Sequence, residues 1–507
     1  MITRRAAARA PIAVAMLIAV AVLAGCGSSL PRPDVSARVG APISGLRPLP
    51  PGFIGVSMEF QTAAVVAGPA SDPNRAVQRL IAELAPGQDP VVRIGGDSTD
   101  HAWWPAPGLS DPDREAYRLT PAWLASLRTL AQAIHARMVL GINLEADNPR
   151  LSGAEARALV SGIGRASVQA LEIGNEPNLY STLYWYKTAT GQKIYGRPAP
   201  YTPSQYLAQF AQVAQALPAT IPLAGPALGS PLFMSQTLAP LLSSQPRLTT
   251  VTYHRYPLDR CFTTPKMPTY PTIANLMKPS SSRGLAASVS GYVHTALARG
   301  DVFRVDELNS VACSGKQGVS NTFASALWMV DTLFAMASEG VTGVNIHTLP
   351  SGAYRLFTVH RSAHRWSATV APEYYGLLMF ARAAPPGSQL LTITTQGSSD
   401  VRAWATGGAG QPTRVVLINV NPRRSHTVAV QLPVAARDAT VERLRAPSLK
   451  STGRVSLGGR SFADPTTSGV LAAPRHVGVP HSRSAYLVTL PPASAALLTV
   501  PARLTSR

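Results

Sequence analysis

The sequence predicts an α/β protein with a (β/α)₈ barrel followed by an antiparallel β-sandwich. Eight short apolar runs alternate with amphipathic stretches between about residue 51 and residue 348, and each run ends in, or is followed directly by, a polar residue or glycine. After about residue 385 the composition changes to short β-branched segments separated by Pro, Gly, Ser and Asn. A chain of 507 residues is also too long for a single core, so two or more domains are expected.

The first 26 residues have the features of an export signal. Three arginines precede an apolar stretch, residues 12–22, that is too short to span a membrane comfortably. The stretch leads to Leu-Ala-Gly-Cys ending at Cys26, which resembles the lipobox of bacterial lipoproteins, whose cysteine is acylated. We predict a lipoprotein signal peptide over residues 1–26, with an ordinary secretory signal or a short membrane anchor as alternatives. Residues 27–50 are predicted to be a tether or an early strand.

The formal net charge of +20 indicates a basic surface, which would favour acidic glycans or anionic envelope polymers. Only six of the 46 basic residues are lysine, however, and such a bias towards arginine is also typical of a GC-rich genome. No motif of a nucleic-acid-binding module is present, so nucleic acid is discounted as a partner.

The eight apolar runs are predicted to be barrel strands, because near-continuous apolar runs are typical of buried parallel strands. They are Phe53–Glu59, Val91–Gly95, Met138–Asn143, Val168–Ile173, Pro222–Gly225, Thr250–His254, Val302–Glu307 and Val341–His347. The predicted helices include Arg75–Leu84, Pro121–Ala136, Gly153–Ile163, Pro203–Ala216 and Ser320–Ser338. Thr120 and Thr202, each followed by proline, are predicted helix N-caps. Eight repeats over roughly 300 residues match a (β/α)₈ barrel in count and length.

The barrel is assigned to residues 51–385 and the C-terminal sandwich to residues 386–507. The longest connections of the barrel follow the fourth and sixth runs, at residues 184–201 and 261–283. The predicted sandwich strands include Leu390–Thr394, Arg414–Asn419, Thr427–Leu432, Thr440–Leu444 and Ala485–Leu490.

The most specific chemical signal lies at the end of the fourth run, where Asn175-Glu176-Pro177 follows Gly174. The carboxyl ends of barrel strands hold the active site in this architecture. A carboxylate preceded by an amide and followed by proline is rigidly aimed, so Glu176 is a candidate general acid. The alternative is a helix-capping turn, which would be the preferred interpretation in an arbitrary sequence.

The seventh run ends in a second carboxylate pair, Asp306 and Glu307. Neighbouring side chains on a regular strand face opposite ways, so both cannot enter the cleft from regular strand geometry. Alternation alone does not decide which of them points inward, and Asp306 remains an alternative to Glu307.

Two carboxyl groups on opposite sides of a barrel mouth fit glycoside hydrolysis. In retaining enzymes they lie about 5–5.5 Å apart, so that one attacks the anomeric carbon while the other protonates the leaving oxygen. The acid must hold its proton near neutral pH, and the negative charge of the nucleophile helps to raise its pKa.

Several motifs together resemble glycoside hydrolase family 79, which contains β-glucuronidases and heparanases. They include residues 53–60 (FIGVSMEF), 93–98 (RIGGDS), 174–177 (GNEP), 307–310 (ELNS), 318–328 (GVSNTFASALW) and 372–376 (PEYYG). The resemblance covers nearly all of the mature chain and implies a (β/α)₈ retaining glycosidase with a C-terminal β-sandwich. The paired motifs are specific for the clan, less so for the family, and weak for the substrate.

The resemblance also implies roles for individual residues. Glu176 matches the acid/base, Glu307 the nucleophile, and Asn175 the asparagine that hydrogen-bonds the sugar 2-hydroxyl. His254 and Tyr256 match positions beside the nucleophile, where a tyrosine could hydrogen-bond Glu307 and hold it ionised. Simple loop packing is the alternative for these two residues.

Secondary substrate-binding candidates stand at or just past strand ends. They are Asp97, Asn143 and His347, with Trp103 and Trp104 as a possible sugar-stacking wall. Glu59 and Glu145 are interpreted as lining the site rather than as catalytic.

The loop after Glu307 departs from the pattern of glucuronate-binding relatives, which have a tyrosine there. Residues 310–317 read SVACSGKQ, without tyrosine. Lys316, or the backbone amides of Ser314 and Gly315, could replace it as anion donors. This departure concerns glucuronate specificity and does not affect the retaining chemistry.

The cysteines agree with export. With Cys26 assigned to lipid, Cys261 and Cys313 form an even pair that is expected to be a disulfide in an oxidising compartment, with two free thiols as the alternative. Neither has zinc-site spacing, and no metal or cofactor is expected.

The sequence therefore predicts an exported, lipid-anchored β-glycosidase acting on a uronic-acid-containing glycan. The same chemistry on a neutral sugar, or glycan binding without turnover, are the alternatives.

Overall fold

The computed structural model describes residues 32–363, 365–433, 438–482 and 485–502. The predicted signal peptide, the lipidation site Cys26 and the first residues of the predicted tether lie outside these ranges. The chain from Pro33 onward forms one compact unit. Within the described ranges, no helix combines the length and apolar character that a membrane crossing requires.

Eight parallel strands close into a barrel, with neighbours in the barrel following chain order. The strands are Ile54–Glu59, Val91–Gly95, Arg137–Ile142, Val168–Ile173, Leu223–Leu228, Leu248–Arg255, Val302–Leu308 and Gly343–His347, numbered here as barrel strands one to eight. Each overlaps one of the predicted apolar runs. Strands one, two, five and eight are buried at every residue, as a barrel covered by helices requires. The predicted fold class is confirmed.

Helices surround the barrel. They are Phe60–Ala67, Arg75–Glu83, Pro121–Ile134, Pro149–Ile163, Pro203–Ala216, Pro231–Ser244, Ile273–Leu276, Arg283–Ala287, Ser290–Arg299, Phe323–Ser338 and Pro372–Ala383. Thr120 and Thr202 cap their helices as expected, and Thr202 forms a full capping box with Gln205. The helix predicted from Gly153 begins four residues earlier, because the side chain of Asn148 accepts hydrogen bonds from the first-turn amides of Arg150 and Leu151.

The C-terminal part forms one eleven-stranded sheet. Its strands are Val35–Pro42, Gln389–Gln396, Val401–Gly407, Thr413–Asn419, His426–Gln431, Ala439–Arg445, Ser456–Leu457, Val477–Val479, His481–Ser482, Ala485–Leu490 and Ser494–Val500. Val35–Pro42 pairs in parallel with His426–Gln431, an exception to the expected antiparallel pattern. The early strand of the chain therefore belongs to this sheet, which has its own apolar core.

A buried carboxylate joins the sheet to the barrel. Asp331, on the helix Phe323–Ser338, receives a 2.6 Å bond from Arg402 Nη1 and a 2.8 Å bond from Trp404 Nε1. The Trp404 ring also stacks on Phe334 at 5.8 Å between centroids. These contacts fix the two layers against each other and leave the carboxyl ends of the barrel strands open.

Candidate active site

The predicted catalytic carboxylates lie at the carboxyl ends of the barrel strands, in a cleft with two adjoining lobes. The central lobe, of about 410 Å³, is lined by Glu59, Asp97, Glu176, His254, Arg255, Tyr256, Phe262, Glu307, Cys313, Ser314, His347 and Tyr354, among others. The second lobe, of about 570 Å³, shares Glu59, Asp97 and Glu176 with it and extends along His101, Glu115, Glu145, Asn175, Tyr180, Tyr184 and Trp185. We call the second the acidic lobe.

Arg93, in the middle of barrel strand two, organises the floor of the central lobe. It is fully buried, and its Nε lies 2.6 Å from Glu172 Oε2 and 3.2 Å from Asp306 Oδ2. Its Nη1 lies 2.9 Å from Glu307 Oε2, and its Nη2 donates to Asn175 Oδ1 at 3.0 Å. One guanidinium thus orients groups from strands four and seven, which a point-like ammonium could not do.

Glu307 is held in its ionised form. Tyr256 donates a 2.6 Å hydrogen bond to Oε1, and Arg93 contacts Oε2. Burial alone would raise the pKa of Glu307, but the positive charges of His347, His254 and Arg93, with the Tyr256 bond, hold it well below its ordinary value. The expected tyrosine contact is present, and an ionised carboxylate is what a nucleophile requires.

A register shift explains how Asp306 and Glu307 both contact Arg93. Thr252 pairs with Arg304, whereas His254 pairs with Glu307, so strand seven contains one extra residue between the two pairs. This bulge breaks the regular alternation on which the sequence argument relied. Only Glu307 reaches the cleft: its side chain is 12% exposed, against 1% for Asp306.

Two buried acids beneath the cleft, Glu172 and Asp306, both lie against the guanidinium of Arg93. Burial and the neighbouring Glu172 raise the pKa of Asp306 well above its ordinary value. Against the effect of burial, Arg93 lowers the pKa of Glu172. Asp306 is therefore the neutral member of this pair, which makes it unsuited to nucleophilic attack.

Glu176 stands in a left-handed backbone conformation with φ of 46°, directly after Asn175 and before Pro177. Its N–H donates to Ala227 O on barrel strand five at 2.9 Å, and its Oε1 lies 3.0 Å from His254 Nδ1. The Asn-Glu-Pro segment therefore forms a fixed turn that holds the carboxyl in the wall common to both lobes.

His254 lies between the two predicted catalytic carboxylates. Its Nδ1 is 3.0 Å from Glu176 Oε1 and 3.8 Å from Glu307 Oε2. Burial would lower its pKa, but Glu307, Asp306 and the bond to Glu176 raise it to about 9. His347 Nδ1 also lies 3.8 Å from Glu307 Oε2, and against the effect of burial, Glu307 and Glu59 raise the pKa of His347.

Asn175 and Asp97 meet where the two lobes join. Asn175 Nδ2 donates to Asp97 Oδ1 at 3.3 Å, and the backbone N–H of Asn175 donates to the buried Asp100. Although Asp97 is accessible from the cleft, the enclosing walls and the carboxylates of Glu59, Glu307 and Glu176 raise its pKa to about 7.

The structure thus brings Glu176, Glu307, Asn175, His254, Tyr256, Asp97 and His347 together at one cleft. Other candidates lie elsewhere. Asn143 is fully buried and uses its amide on the carbonyls of Asp100 and Ala102. Trp103 lines a separate cavity, Trp104 packs against the main core, and Lys316 lies over the Tyr270 ring. None of these four side chains lines either lobe.

Sequence reasoning gave no role to Arg93 or Tyr354. A basic residue inside an otherwise apolar buried run is a usable signal, because such a charge must be paired. Tyr354 lies in the loop after strand eight, 6.3 Å from Tyr256 between ring centroids, and no local pattern distinguishes it. It supplies to the central lobe the tyrosine that the loop after Glu307 lacks.

A disulfide joins the loops after strands six and seven, as expected. Cys261 and Cys313 are bonded, with 6.2 Å between their Cα atoms. Cys313, Ser314 and Gly315 have φ values of 62°, 66° and 77°. Within the described ranges, the only clustered metal-ligand side chains are Asp259 and these two cysteines, whose thiolates the disulfide removes.

Known proteins resemble this chain in sequence and in fold. Residues 403–497 match the family described as the glycosyl hydrolase family 79 C-terminal beta domain. A β-glucuronidase of Neurospora crassa is 24% identical over 413 residues, 73% of this chain and 72% of the relative. A β-glucuronidase of Aspergillus niger is 25% identical over 436 residues, 79% of this chain and 76% of the relative. A 4-O-α-L-rhamnosyl-β-D-glucuronidase from Fusarium oxysporum 12S has a TM-score of 0.71 at 20% identity, covering 92% of this chain and 100% of that chain.

These comparisons support the resemblance of the chain to glycoside hydrolase family 79.

The β-glucuronidase relatives and the match to the family 79 C-terminal domain indicate that the chain is a glycoside hydrolase with a carbohydrate substrate. The barrel is shared more widely: a family 51 arabinofuranosidase from Xanthomonas axonopodis pv. citri has a TM-score of 0.64 at 15% identity, covering 92% of this chain and 100% of that chain. That similarity concerns the fold alone. The site geometry must therefore carry the assignment of mechanism and substrate.

Proposed function

We propose that this glycoside hydrolase is a family 79 member and a retaining β-glucuronidase-like enzyme, with Glu307 as nucleophile and Glu176 as general acid/base. The observation that carries the proposal is the asymmetry of the two carboxylates around His254. Arg93 and Tyr256 hold the carboxylate of Glu307, whose side chain is 12% exposed. The side chain of Glu176 is 23% exposed in the wall common to both lobes.

The distances from His254 favour a retaining geometry. Because one nitrogen contacts Glu176 Oε1 at 3.0 Å and Glu307 Oε2 at 3.8 Å, those oxygens are at most about 7 Å apart. Retaining enzymes separate their carboxyls by about 5–5.5 Å and inverting enzymes by about 6.5–9.5 Å. The upper limit leaves little room for the water that an inverting enzyme places between them.

The proposed reaction has two steps. A carboxylate oxygen of Glu307 attacks the anomeric carbon while Glu176 gives its proton to the glycosidic oxygen, so the leaving group departs as an alcohol. Glu176, now ionised, removes a proton from water, and the resulting attack on the anomeric carbon releases the sugar and regenerates Glu307. Arg93 and Tyr256 orient Glu307 throughout.

Glucuronate as the glycone is supported by the names of the two curated relatives and by groups in the central lobe. In the described chain, the N–H groups of Ser314 and Gly315 donate no hydrogen bond, and their positive φ values turn this loop sharply beside the lobe. Arg255 and Tyr354 line the same lobe. Two free amides, a cation and a phenol make a suitable environment for a sugar carboxylate.

The test begins with the stereochemistry of hydrolysis. NMR of an aryl β-glucuronide reaction should show the β-anomer first, and a 2-fluoro glucuronyl fluoride should leave a covalent adduct on the peptide containing Glu307. Glu307→Ala should lose the adduct, and added azide should restore turnover of activated aryl glycosides by Glu176→Ala. Initial release of the α-anomer would contradict the retaining mechanism.

A panel of aryl glucuronide, glucoside, galactoside, xyloside and arabinofuranoside tests the glycone. We expect the ratio of glucuronide to glucoside kcat/KM to fall in Arg255→Met. Lys316→Met tests the sequence-based expectation that Lys316 binds the carboxylate. If only a neutral glycoside were hydrolysed, the proposed mechanism would stand and glucuronate would be wrong as the glycone.

We also propose that the enzyme is exported and anchored by a lipid on Cys26 at the outer face of the cell membrane. The lipobox-like sequence and the Cys261–Cys313 disulfide, which suits an oxidising compartment, support this location. Labelling with a radioactive fatty acid should modify the full chain and not Cys26→Ser. Labelling of both, or retention of both inside the cell, would contradict it.

A further inference from the structure

A cavity of about 760 Å³ lies at the amino ends of the barrel strands, at the opposite end of the barrel from the catalytic cleft. Its walls include the first residues of barrel strands two, three and seven, Val91, Arg137 and Val302. Residues 45–51, which connect the early strand to the barrel, form another wall. Among the described residues, those lining this cavity are distinct from those lining the central lobe and the acidic lobe. A cavity of this size accommodates a small organic molecule.

Arg304, on barrel strand seven, reaches this cavity from the barrel interior, and the residue is only 5% exposed. Its Nε donates to Asn345 Oδ1 at 2.8 Å, and its Nη2 donates to Gly52 O at 3.0 Å. Within the described ranges, Nη1 donates no hydrogen bond. A Cβ on Gly343 would collide with that atom, so glycine at this position leaves the space that the guanidinium needs. The guanidinium is therefore held in place on one side and has unused donors on the other.

The charge of Arg304 has no counter-charge close to it. In the part of the chain that the structure describes, no carboxylate lies within ion-pair distance of its guanidinium, whereas Arg93 contacts three. Asp306, two residues further along the strand, is the neutral member of its pair with Glu172. Burial lowers the pKa of Arg304 to about 10, an effect that Asp306 opposes, so Arg304 is a cation at neutral pH. An unpaired buried charge is costly, and an anion beside it would reduce that cost.

The other walls of the cavity combine cations with apolar surface. Arg47 and Arg137 are exposed residues of the lining, and Asp89 is the only acid in it. Thr250 and Gln169 add a hydroxyl and an amide whose atoms make no hydrogen bond within the described ranges. The apolar part of the lining consists mainly of Leu46, Leu49, Pro50, Val91, Leu297, Val302 and Leu390. Such a lining suits a ligand that has one anionic group and an apolar body.

We propose that this cavity binds a small organic acid, whose carboxylate or phosphate pairs with Arg304 and whose apolar body lies against Leu46 and Leu297. The site is separate from the proposed hydrolysis and does not depend on it. Arg304 joins the residue before barrel strand one to strand eight, through Gly52 and Asn345. A bound anion therefore neutralises a charge where the first and last strands close the barrel, and it stabilises the folded chain.

The test measures binding to the intact protein by calorimetry, in a buffer without phosphate or carboxylate. The probes are benzoate and phenyl phosphate, the neutral compound benzamide, and inorganic phosphate, which lacks an apolar body. Hydrogen bonds to a charged group contribute about 10- to 100-fold in affinity, so at least one aryl anion should bind about tenfold or more tightly than benzamide. Inorganic phosphate should bind more weakly than that aryl anion by a similar factor. Absence of aryl anion binding, or equally tight binding of benzamide or inorganic phosphate, would overturn the proposal.

Variants locate the binding at this cavity. Arg304→Met should abolish the preference for the aryl anions. Because Arg304 also holds backbone, a second variant, Ala298→Phe, fills the cavity from an exposed helix position and leaves the arginine in place. Thr295→Phe, three residues earlier on the same helix and outside the lining, is the matched control. Unchanged affinity in Ala298→Phe, or an equal loss in Thr295→Phe, would overturn the assignment.

The catalytic cleft contains an arginine of its own, so binding there must be distinguished. Arg255→Met removes the arginine of the central lobe and should leave the affinity for the aryl anion unchanged. Thermal unfolding gives an independent measurement, because a saturating aryl anion should raise the Tm of wild type and not that of Ala298→Phe. Loss of binding in Arg255→Met, together with full binding in Ala298→Phe, would assign the anion to the cleft and overturn the proposal.

Discussion

Arg93 Nη1 and Glu307 Oε2 form a 2.9 Å ion pair at the floor of the cleft, between a fully buried guanidinium and a carboxylate that lines the central lobe. The same guanidinium holds Glu172 and Asp306 behind the site. The charge that stabilises the barrel interior is therefore also the charge that keeps the proposed nucleophile ionised.

Replacing Arg93 is expected to damage both stability and catalysis. Arg93→Met leaves several buried carboxylates without their counter-charge, and breaking a buried pair in this way costs roughly 3–5 kcal/mol of unfolding free energy. Arg93→Lys keeps a charge but not the fork geometry, so we expect kcat/KM to fall at least about a hundredfold even where the variant folds. Urea unfolding and steady-state kinetics measure the two effects.

The matched control is Arg79→Met, since Arg79 is 58% exposed and makes only a 3.9 Å contact with Glu83. Its unfolding free energy should change by no more than about 0.5 kcal/mol. An Arg93→Lys enzyme with wild-type kcat/KM would show that Glu307 does not depend on this contact.

Tyr256→Phe removes only the 2.6 Å hydrogen bond to Glu307 Oε1. A hydrogen bond to a charged group contributes about 1.5–3 kcal/mol, so kcat/KM should fall about 10- to 100-fold. Because the bond helps lower the pKa of Glu307, the acidic limb of the pH–rate profile should move to higher pH. Tyr292→Phe, which loses a hydrogen bond to Pro231 O, should leave both unchanged. A fall in kcat/KM without a shifted limb would mean that Tyr256 binds substrate instead.

The barrel strands were predictable because each is a near-continuous apolar run, and this local pattern is typical of a buried parallel strand. The pairing of Val35–Pro42 with strands about 350 and about 390 residues later was not predictable, since no local signal specifies a long-range partner. The same holds for Tyr354, whose loop reaches the central lobe only after the barrel closes.

The position of a residue in the cleft was predictable where it lies at or just past a strand end, as for Glu176, Glu307 and His347. Position at a strand end did not separate ligand contacts from structural caps. Asn143 donates its amide to the carbonyls of Asp100 and Ala102 in the loop after strand two and accepts from the N–H of Ala146 in its own loop. The bulge at Asp306 and Glu307 shows a second limit, because an extra residue in a strand reverses the parity on which an inward or outward assignment depends.

His254 should make stability fall as the pH rises. Its pKa in the folded chain is raised to about 9 from an ordinary 6.5, so its contribution is complete below pH 6.5 and is lost as the pH approaches 9. The contribution is on the order of 3 kcal/mol. Glu145 and Asp97, whose pKa values are also raised, change stability in the same direction, so a variant is needed to isolate the histidine.

Urea unfolding of wild type and His254→Gln at pH 6, 7.5 and 9 makes that comparison. The difference in unfolding free energy between the two proteins should shrink as the pH rises. His294→Gln, at an exposed helix position, should remain parallel to wild type. A constant difference between wild type and His254→Gln would show that folding does not raise the pKa of His254.

Gly229→Ala should impair the proposed acid without touching the nucleophile. The added Cβ would lie 2.7 Å from Glu176 Oε1, the oxygen that contacts His254, so this oxygen must shift from its present position, while the backbone at Gly229 needs no unusual φ. Protonation matters most when the leaving group is a poor one. We therefore expect kcat/KM to fall at least about tenfold for alkyl or sugar leaving groups and little for an activated dinitrophenyl glycoside, with unfolding free energy close to that of Gly291→Ala, whose new Cβ would contact nothing. The measurement uses a series of aryl glycosides whose leaving groups differ in acidity. In Gly229→Ala, kcat/KM should depend more steeply on the pKa of the leaving group than it does in wild type. Equal losses across the series would instead place the damage at the glycone, because displacement of an acid alone cannot slow a reaction that needs no proton.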